Sequence, residues 1–375
     1  MRRLLAILSV ASLVASLALA GCSQSAPAPA PTNAPAAPTS PAASKAAEPT
    51  KAAEPAKAAE PTKPAAAAAQ SGAKPADYPQ KGKTLILNVP WDAGGITDIA
   101  GRVLGSALEK ELGIPVQVIN KPGAASQVGI TELSKSKPDG YTIGYVNLPG
   151  TLSTYLDSSR GAVYNRKSFE PIAIHAWSPG TIAEKADSPY KTLKELVEAA
   201  KAKPEGITMS TVGLLSNTHL DLLLFQQAAG VKFRPVHFGG GANEANSALL
   251  GGHIDASCQS AANYASLFKG GQIRILGIMD KQDSKFLPGV QTMQAQGIDV
   301  FSGNTMTVAA PAGTPKEIVN YLSDTIKKIM QDPAVRAKHE ELNFDPRFMD
   351  ATEVALLWEK TESQIAPLIE SAKQQ

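Results

Sequence analysis

The sequence predicts an α/β fold of two lobes, the second inserted into the first, with a cleft between them. Three observations carry this. Short apolar runs bounded by turn residues alternate with stretches whose apolar residues recur three and four apart, which reads as strand followed by helix. The loops after successive runs are rich in glycine and hydroxyl residues. A first set of such units begins near Thr84, a second set follows, and a last strand returns at Thr305–Ala310 before a helical end. Repeated βα units argue for a parallel sheet with helices on both faces. In such folds ligands bind outside the carboxyl ends of the strands.

The first strand is Leu85-Ile86-Leu87, rising into Val89 and Pro90. Gly94 and Gly95 then permit a tight loop that a side chain would obstruct. Thr97 and Asp98 suit the first turn of a helix, because their oxygens can accept unpaired backbone N–H groups. That helix runs through Ile99, Val103, Leu104, Ala107, Leu108 and Leu112. A strand, a glycine loop and a helix N-terminus together form an anion-binding geometry. An ordinary βα turn reads the same way from this stretch alone. No Arg or Lys lies between Leu85 and Gly101. Helix N-termini and hydroxyls would therefore supply the positive potential, at roughly 0.3–1 kcal/mol per favourable helix end. Asp98, a carboxylate beside such a site, is expected to bind amides and order the loop ahead of touching a ligand.

Val116–Ile119 is a second strand, followed by a loop from Asn120 to Ser126 and a helix through Val128, Ile130 and Leu133. Asp139-Gly140 marks a turn, Tyr141–Val146 a third strand, and Asn147 to Thr151 a third loop ending at a helix. In the second set, Leu193–Ala200 is helical, Ile207–Thr211 a strand, Gly213–Thr218 a loop and His219–Ala229 a helix. Val236–Gly241 is a strand end with a glycine loop, Ala245–Leu250 a helix, and Ile254–Cys258 and Ile273–Met279 strands. Helices are expected over Pro315–Met330, Val335–Leu342 and Thr352–Ala372.

The chain has 375 residues, 43% of them apolar, which is room for two cores. Its net charge of +2 mixes unlike segments. Setting aside Arg2, Arg3 and the five Lys, three Glu and one Asp of residues 23–80 leaves 29 basic and 30 acidic groups. That near-neutral balance is no nucleic-acid footprint. Arg2-Arg3 followed by an apolar stretch from Leu4 to Leu19 reads as a signal peptide, too short for an ordinary spanning helix. It closes on Leu19-Ala20-Gly21-Cys22, which resembles a bacterial lipobox. The resemblance implies cleavage before Cys22 and acylation of its sulfur, hence a lipid anchor. Residues 23–80 are Ala/Pro-rich, with a near repeat of Lys-Ala-Ala-Glu-Pro starting at Lys45, Lys51 and Lys57. Such a segment cannot bury a core and reads as a disordered tether. A chain starting near Lys81 is therefore expected to fold and bind as the longer form does. The lobes are expected at 81–180 with 305–375, and at 181–304.

Several blocks resemble one known family. They are Val89-Pro-Trp-Asp-Ala-Gly-Gly-Ile-Thr-Asp98, Asn120-Lys-Pro-Gly-Ala, Lys137-Pro-Asp-Gly-Tyr-Thr142, Leu249-Leu-Gly-Gly-His-Ile-Asp255 and Ala309-Ala-Pro-Ala-Gly-Thr-Pro315, in that order. The family is the Bug-type, or tripartite tricarboxylate transporter, substrate-binding receptors, and the similarity spans about 82–370. It implies a periplasmic-binding-protein type II-like fold that closes on a small organic acid outside the cell membrane. It also implies integral-membrane transporter subunits as partners, and neither cofactor nor catalysis. By position it points to Trp91, Ala93, Gly94, Gly95, Thr97 and Asp98, with Ser126 and Asn147 on the next two loops. From the second lobe it points to Ser210, Thr211, Ser216, Asn217, Thr218, His219, Phe238 and Gly239. The chain departs from the family pattern at Trp91, at Ile96 and at His237-Phe238-Gly239-Gly240, where an aromatic-Lys-Gly turn is usual. Trp91 either stacks on an aromatic substrate or walls the cleft.

Rival functions find less support. His219 and Asp221 share a helix two apart and face different ways. No G-x-S-x-G elbow precedes a helix. Five scattered His give no metal-ligand spacing. Cys258, the one cysteine after Cys22, reads as a small buried apolar residue. An envelope hydrolase and a surface adhesin remain the alternatives.

Overall fold

The computed structural model describes residues 74–239 and 241–373. The signal segment, Cys22, the Ala/Pro-rich segment up to residue 73, and Gly240 lie outside the described residues.

The first lobe is built on β1 (Leu85–Val89), which pairs in parallel with β2 (Val116–Asn120) and β3 (Thr142–Tyr145). Between β1 and β2 runs α1 (Ile96–Leu112), burying Leu104, Leu108 and Leu112 and ending at Gly113 in the left-handed conformation. Next come α2 (Gln127–Ser134) and α3 (Gly150–Leu156), which open after β2 and β3. β4 (Phe169–Lys185) is a 17-residue strand for which the sequence carries no signal. Its near-continuous burial removes the period of two, and Pro171, Pro179 and Gly180 argue against a central strand.

The second lobe contains α4 (Leu193–Ala202), β5 (Thr208–Thr211), α5 (Asn217–Ala229), β6 (Arg234–His237), α6 (Ala242–Leu250), β7 (Ala256–Ser260), α7 (Ala261–Lys269) and β8 (Ile273–Ile278). α5 starts two residues earlier than its apolar pattern indicates, because the Ser216 hydroxyl caps it by accepting from the His219 N–H. α7 follows β7 without a break and carries no sequence signal of its own. The chain returns through β9 (Gly303–Pro311) and ends in α8 (Lys316–Ile329), α9 (Pro333–Glu341), α10 (Ala351–Ile365) and α11 (Ile369–Ala372).

The described strands order as β2-β1-β3-β9-β4-β7-β5-β6, with β8 also on β4. The strands of the βα units pair in parallel as expected, β1 with β2 and β3, and β5 with β6 and β7, and the antiparallel pairs are those of the two crossing strands. β9 is antiparallel to β3, and β4 is antiparallel to β9, β7 and β8. The reason is topological: β4 carries the chain out of the first lobe and β9 brings it back, so the two must run in opposite directions. β4 pairs with β9 from Phe169 to Pro179, then with β7 and β8 from Gly180 to Lys185. We take Gly180 and Ser302 as the crossings between the lobes.

One apolar cluster joins Leu85, Leu87, Leu104, Leu108, Ile143, Met306, Val308, Leu322 and Ile326, under the first sheet. Another runs from Ile130, Val146 and Leu152 to Leu220, Phe225 and Trp358. A buried polar chain threads the first lobe. The His339 Nδ1 donates to the Val335 carbonyl (2.8 Å), so its Nε2 accepts from His175 Nδ1 (2.9 Å). His175 Nε2 then accepts from the Tyr145 hydroxyl (2.9 Å). Burial holds both imidazoles below their ordinary pKa, His175 well below, and keeps this chain of neutral donors intact.

Tyr78 and its neighbours are docked on the first lobe, although Lys74, Ala76, Asp77 and Gln80 are exposed. Tyr78 is buried, its hydroxyl donates to the Gly140 carbonyl (2.8 Å), and its ring lies 5.1 Å from Tyr141 and 6.1 Å from Tyr321. The Gln80 N–H donates to the Tyr141 hydroxyl (2.7 Å). A single tyrosine in a polar stretch gives no periodicity, which is why this docking is invisible in the pattern. A chain starting at Lys81 is therefore expected to melt lower than one starting at Lys74. The loss is about 3 kcal/mol, the usual order for removing a buried aromatic. Parallel denaturant melts of the two forms check this, and coincident curves would show Tyr78 to be dispensable.

Candidate functional site

The carboxyl edge of the first sheet carries three loops, after β1, β2 and β3. In the β1–α1 loop, Asp92 to Ile96 are exposed and Trp91 is half-buried against the core. Gly94 has φ +80, a conformation side chains resist. Gly95 is the N-cap of α1 and so supplies no side-chain acceptor to its first amides.

Asp98 sits inside the first turn of α1 and is buried. One carboxylate oxygen accepts from the Gly94 N–H (2.8 Å) and Arg102 Nε (3.1 Å). The other accepts from Asn120 Nδ2 (3.0 Å) and lies 2.9 Å from Arg102 Nη2. Asn120 Nδ2 also donates to the Trp91 carbonyl (3.1 Å). Burial alone would raise this carboxyl, but the Arg102, Gly94 and Asn120 hydrogen bonds outweigh it and hold the pKa below the ordinary value. Asp98 thus staples the glycine loop to the end of β2. Arg102, one turn on at i+4, is the spacing signal that points to this pair. Asn120 opens the Asn-Lys-Pro-Gly block, where only its resemblance marks it.

Thr97 and Asn147 join the first and third loops. Asn147 Nδ2 donates to Thr97 Oγ1 (3.2 Å), and its Oδ1 accepts from the Thr307 N–H (3.1 Å) on β9. The Thr97 hydroxyl therefore serves this bridge and caps nothing in its own helix. In the second loop, Gly123, Ala124, Ala125 and Ser126 all have positive φ (130, 46, 52 and 79). Three of these are side-chain residues held in a conformation that costs energy. Ser126 is the N-cap of α2 and makes no side-chain cap.

The facing edge belongs to the second lobe. Ser210 Oγ donates to Ser257 Oγ (2.6 Å), and Thr211 Oγ1 lies 2.6 Å from His237 Nδ1. Thr218 Oγ1 accepts from the Val212 N–H (2.9 Å). His219 Nδ1 accepts from the Leu215 N–H (3.0 Å), which leaves the ring proton on Nε2. That Nε2 is buried without a partner, and the ring lies 4.5 Å from His237. Burial, then His237, pushes the His219 pKa down to about 3, so the ring is neutral. Phe238 is half-buried and packs against the second lobe's core, and Gly239 is exposed.

The two edges meet at Asn217. Its Nδ2 donates to Asn304 Oδ1 (2.9 Å) on β9, and a Cβ on Gly150 would fall 1.9 Å from its Oδ1. A side chain at Gly150 would therefore displace the Asn217 amide from this contact. Asn304, Gly150 and His237 are the contacts that spacing could not reveal. Four residues along α5, the buried Asp221 carboxyl accepts from the Ser302 hydroxyl at one crossing, and a Cβ on Gly180 at the other would lie 3.0 Å from it. His219 and Asp221 do face different ways.

A family model described as tripartite tricarboxylate transporter family receptor matches residues 100–373. The chain belongs to this family. It is a Bug-type, TctC-like binding receptor and not an enzyme. It is 31% identical over 304 residues to the "UPF0065 protein in gbd 5'region" of Cupriavidus necator, covering 81% of this chain and 91% of that one. A TctC solute-binding protein from Polaromonas, solved without ligand, is 30% identical, with TM-score 0.72 over 78% of this chain and 99% of that one. The same two-lobed fold recurs in MatC of Rhodopseudomonas palustris with bound malate, at 23% identity and TM-score 0.61, over 77% of this chain and 99% of that one.

Asp221 gives this receptor a titratable group at the hinge. Burial raises its pKa to about 7, against the Ser302 hydrogen bond that lowers it, while an unfolded Asp titrates near 3.9. The folded chain thus keeps a proton that the unfolded chain loses, and this carboxyl's contribution to stability falls as pH rises from about 4 to 7. Asp221→Asn has no such titration. Its stability relative to the parent is expected to rise over that interval by up to about 4 kcal/mol and then level off. Urea melts of both proteins at pH 5 and pH 8 measure it. An unchanged difference would mean that Asp221 ionises normally.

Proposed function

We propose that this receptor captures a small organic acid between its lobes, outside the cell membrane, and delivers it to the integral-membrane subunits of a tripartite tricarboxylate-type transporter. The observation that carries this reading is that α1 begins at the carboxyl edge of the first sheet without a side-chain cap. Its first-turn amides can receive a carboxylate and the helix end favours negative charge, whereas at the start of α2 the Gln127 and Val128 amides already donate to the Ala124 and Gly123 carbonyls (3.1 and 3.4 Å). In this reading the backbone of Ala93, Gly94 and Gly95 approaches the acid, with Trp91 as a wall and Ser126 nearby. Thr97, Asp98 and Asn147 hold the loops in place and touch the acid less. Ser216, Asn217, Thr218 and His219 close from the second lobe, backed by Ser210 and Thr211, with Phe238 and Gly239 at its margin.

Ligand binding is expected to raise the melting point with concentration, by about 2.7 kcal/mol of stability at a hundredfold excess over Kd. A melt against a panel of carboxylic acids finds the ligand, and a flat panel would remove the proposal. Gly95→Val is expected to keep the fold with a small shift of the exposed loop, because a new Cβ would meet the Asp92 carbonyl at 3.2 Å, closer than side chains usually sit, and no other atom within 4 Å. It should weaken the best acid more than about tenfold by blocking approach to the amides. Unchanged calorimetric affinity in the folded variant would place the site elsewhere.

The lipid anchor at Cys22 belongs to the same proposal, supported by the order Leu19-Ala20-Gly21-Cys22 after a basic, apolar start. Cys22→Ala is expected to release the protein from washed membranes into the soluble fraction. A variant that still pellets after a high-salt wash would mean that something else holds it.

A further inference from the structure

Seven exposed lysines gather at the end of the first lobe opposite the candidate site. β1, β2 and β3 are parallel, so α1 and α2 leave from carboxyl ends of strands and return to amino ends. β9 is antiparallel to β3 and finishes at that same end, where α8 begins. Lys110 lies in the last turn of α1, Lys135 is the C-cap of α2, Lys137 stands in the turn before β3 and Lys316 opens α8. Lys74, Lys81 and Lys83 lie on the segment leading into β1, which the Tyr78–Gly140 hydrogen bond fastens to this end.

None of the seven takes part in a salt bridge among the described residues. Four exposed carboxylates share the face, and two of them are bonded to backbone: Glu109 to the Val116 N–H (2.9 Å) and Asp139 to the Tyr141 N–H (3.0 Å). The other two are Asp77 and Glu317, while the half-buried Glu111 is paired with Lys328. Positive charge is thus in excess at this end. At the candidate site, by contrast, Arg102 and Lys121 are paired with Asp98 (2.9 Å) and Glu132 (3.3 Å). The chain leading from Cys22 also enters the described fold on this face, at Lys74. Unpaired lysines spread over a surface suit an extended sheet of negative charge, and such attraction acts only within about a Debye length, roughly 10 Å at 0.1 M salt.

We infer that this lysine face is a docking surface for anionic lipid headgroups, which holds the first lobe against the membrane with its glycine loops turned away. This rests on the lipid-anchor part of the reading above and adds the lobe's orientation to it. One lipid group and one basic surface together make the two-signal attachment that holds where either alone is weak. The lobe bound in this way presents its carboxyl-edge loops to the medium from which a ligand arrives.

The test uses the protein from Ser23 onward, which carries no acyl chain, in co-sedimentation with vesicles. Vesicles of phosphatidylcholine with about 30% phosphatidylglycerol are expected to bind it at about 0.02 M salt and release it at about 0.3 M, and phosphatidylcholine alone is expected not to bind. Lys81→Glu, Lys137→Glu and Lys316→Glu together should cut the bound fraction at least about tenfold. Lys201→Glu, Lys232→Glu and Lys269→Glu together change the net charge equally, on exposed second-lobe lysines that make no salt bridge, and should cut it less than about twofold. Melts of both triple variants establish that they fold. If the first does not, glutamine at its three positions takes its place, with a loss of about threefold expected. Equal losses in the two triples would overturn the inference, because net charge and not this face would then be responsible. Failure of the parent protein to bind the phosphatidylglycerol vesicles would overturn it as well. Neither result touches the anchor reading, which the Cys22→Ala fractionation decides separately.

Discussion

β4 is hydrogen-bonded in both lobes, and the rest of the molecule is arranged around the point where it changes partners. Up to Pro179 it pairs with β9, and from Gly180 it lies between β7 and β8. That one strand forces the antiparallel junction between two otherwise parallel sets of strands. It also sets where the lobes can bend, because only this strand and the return at Ser302 cross between them. Side chains from both lobes gather there. Asp221 reaches Ser302, and Arg347 joins Asp280 (2.9 Å) to Asp345 (2.9 Å) beside the Trp177 ring. Pairs of this kind add little by attraction alone when partly solvated, but they fix geometry at a place where geometry decides closure.

The candidate site uses its polar side chains mostly for construction. Asp98, Asn120, Arg102, Thr97 and Asn147 are bonded to one another or to backbone, and Ser210, Thr211 and Thr218 are similarly occupied. What remains unoccupied at the first-lobe edge is chiefly the backbone at the start of α1.

Much of this was legible in the residues. Alternating apolar runs located eight of the nine described strands, because most are short and bounded by Gly, Pro or Asn. The exception, β4, is buried on both faces and carries two prolines, so neither period nor composition marks it. The glycine loop at Gly94-Gly95 and the cap before α5 were visible because both rest on local chemistry. The roles of Thr97 and Asn147 were not, because their partners are each other and β9, 50 and 160 residues away along the chain. The Tyr78 contact was hidden for the same reason, since a lone aromatic in polar sequence has no local signature. Reading site residues as ligand contacts overlooks how many of them are occupied in holding the loops.

Tyr78 has a mechanical consequence. It is pinned between Gly140, Tyr141 and Tyr321, at the amino ends of β1 and β3 and so at the opposite end of the first sheet from the glycine loops. A pull on the chain at residue 74 is therefore taken up by the first lobe through that aromatic clamp. The load is not passed along β4 to the hinge, nor to the loops that face the second lobe. The proposed anchor and the proposed closure would thus act on separate parts of the chain.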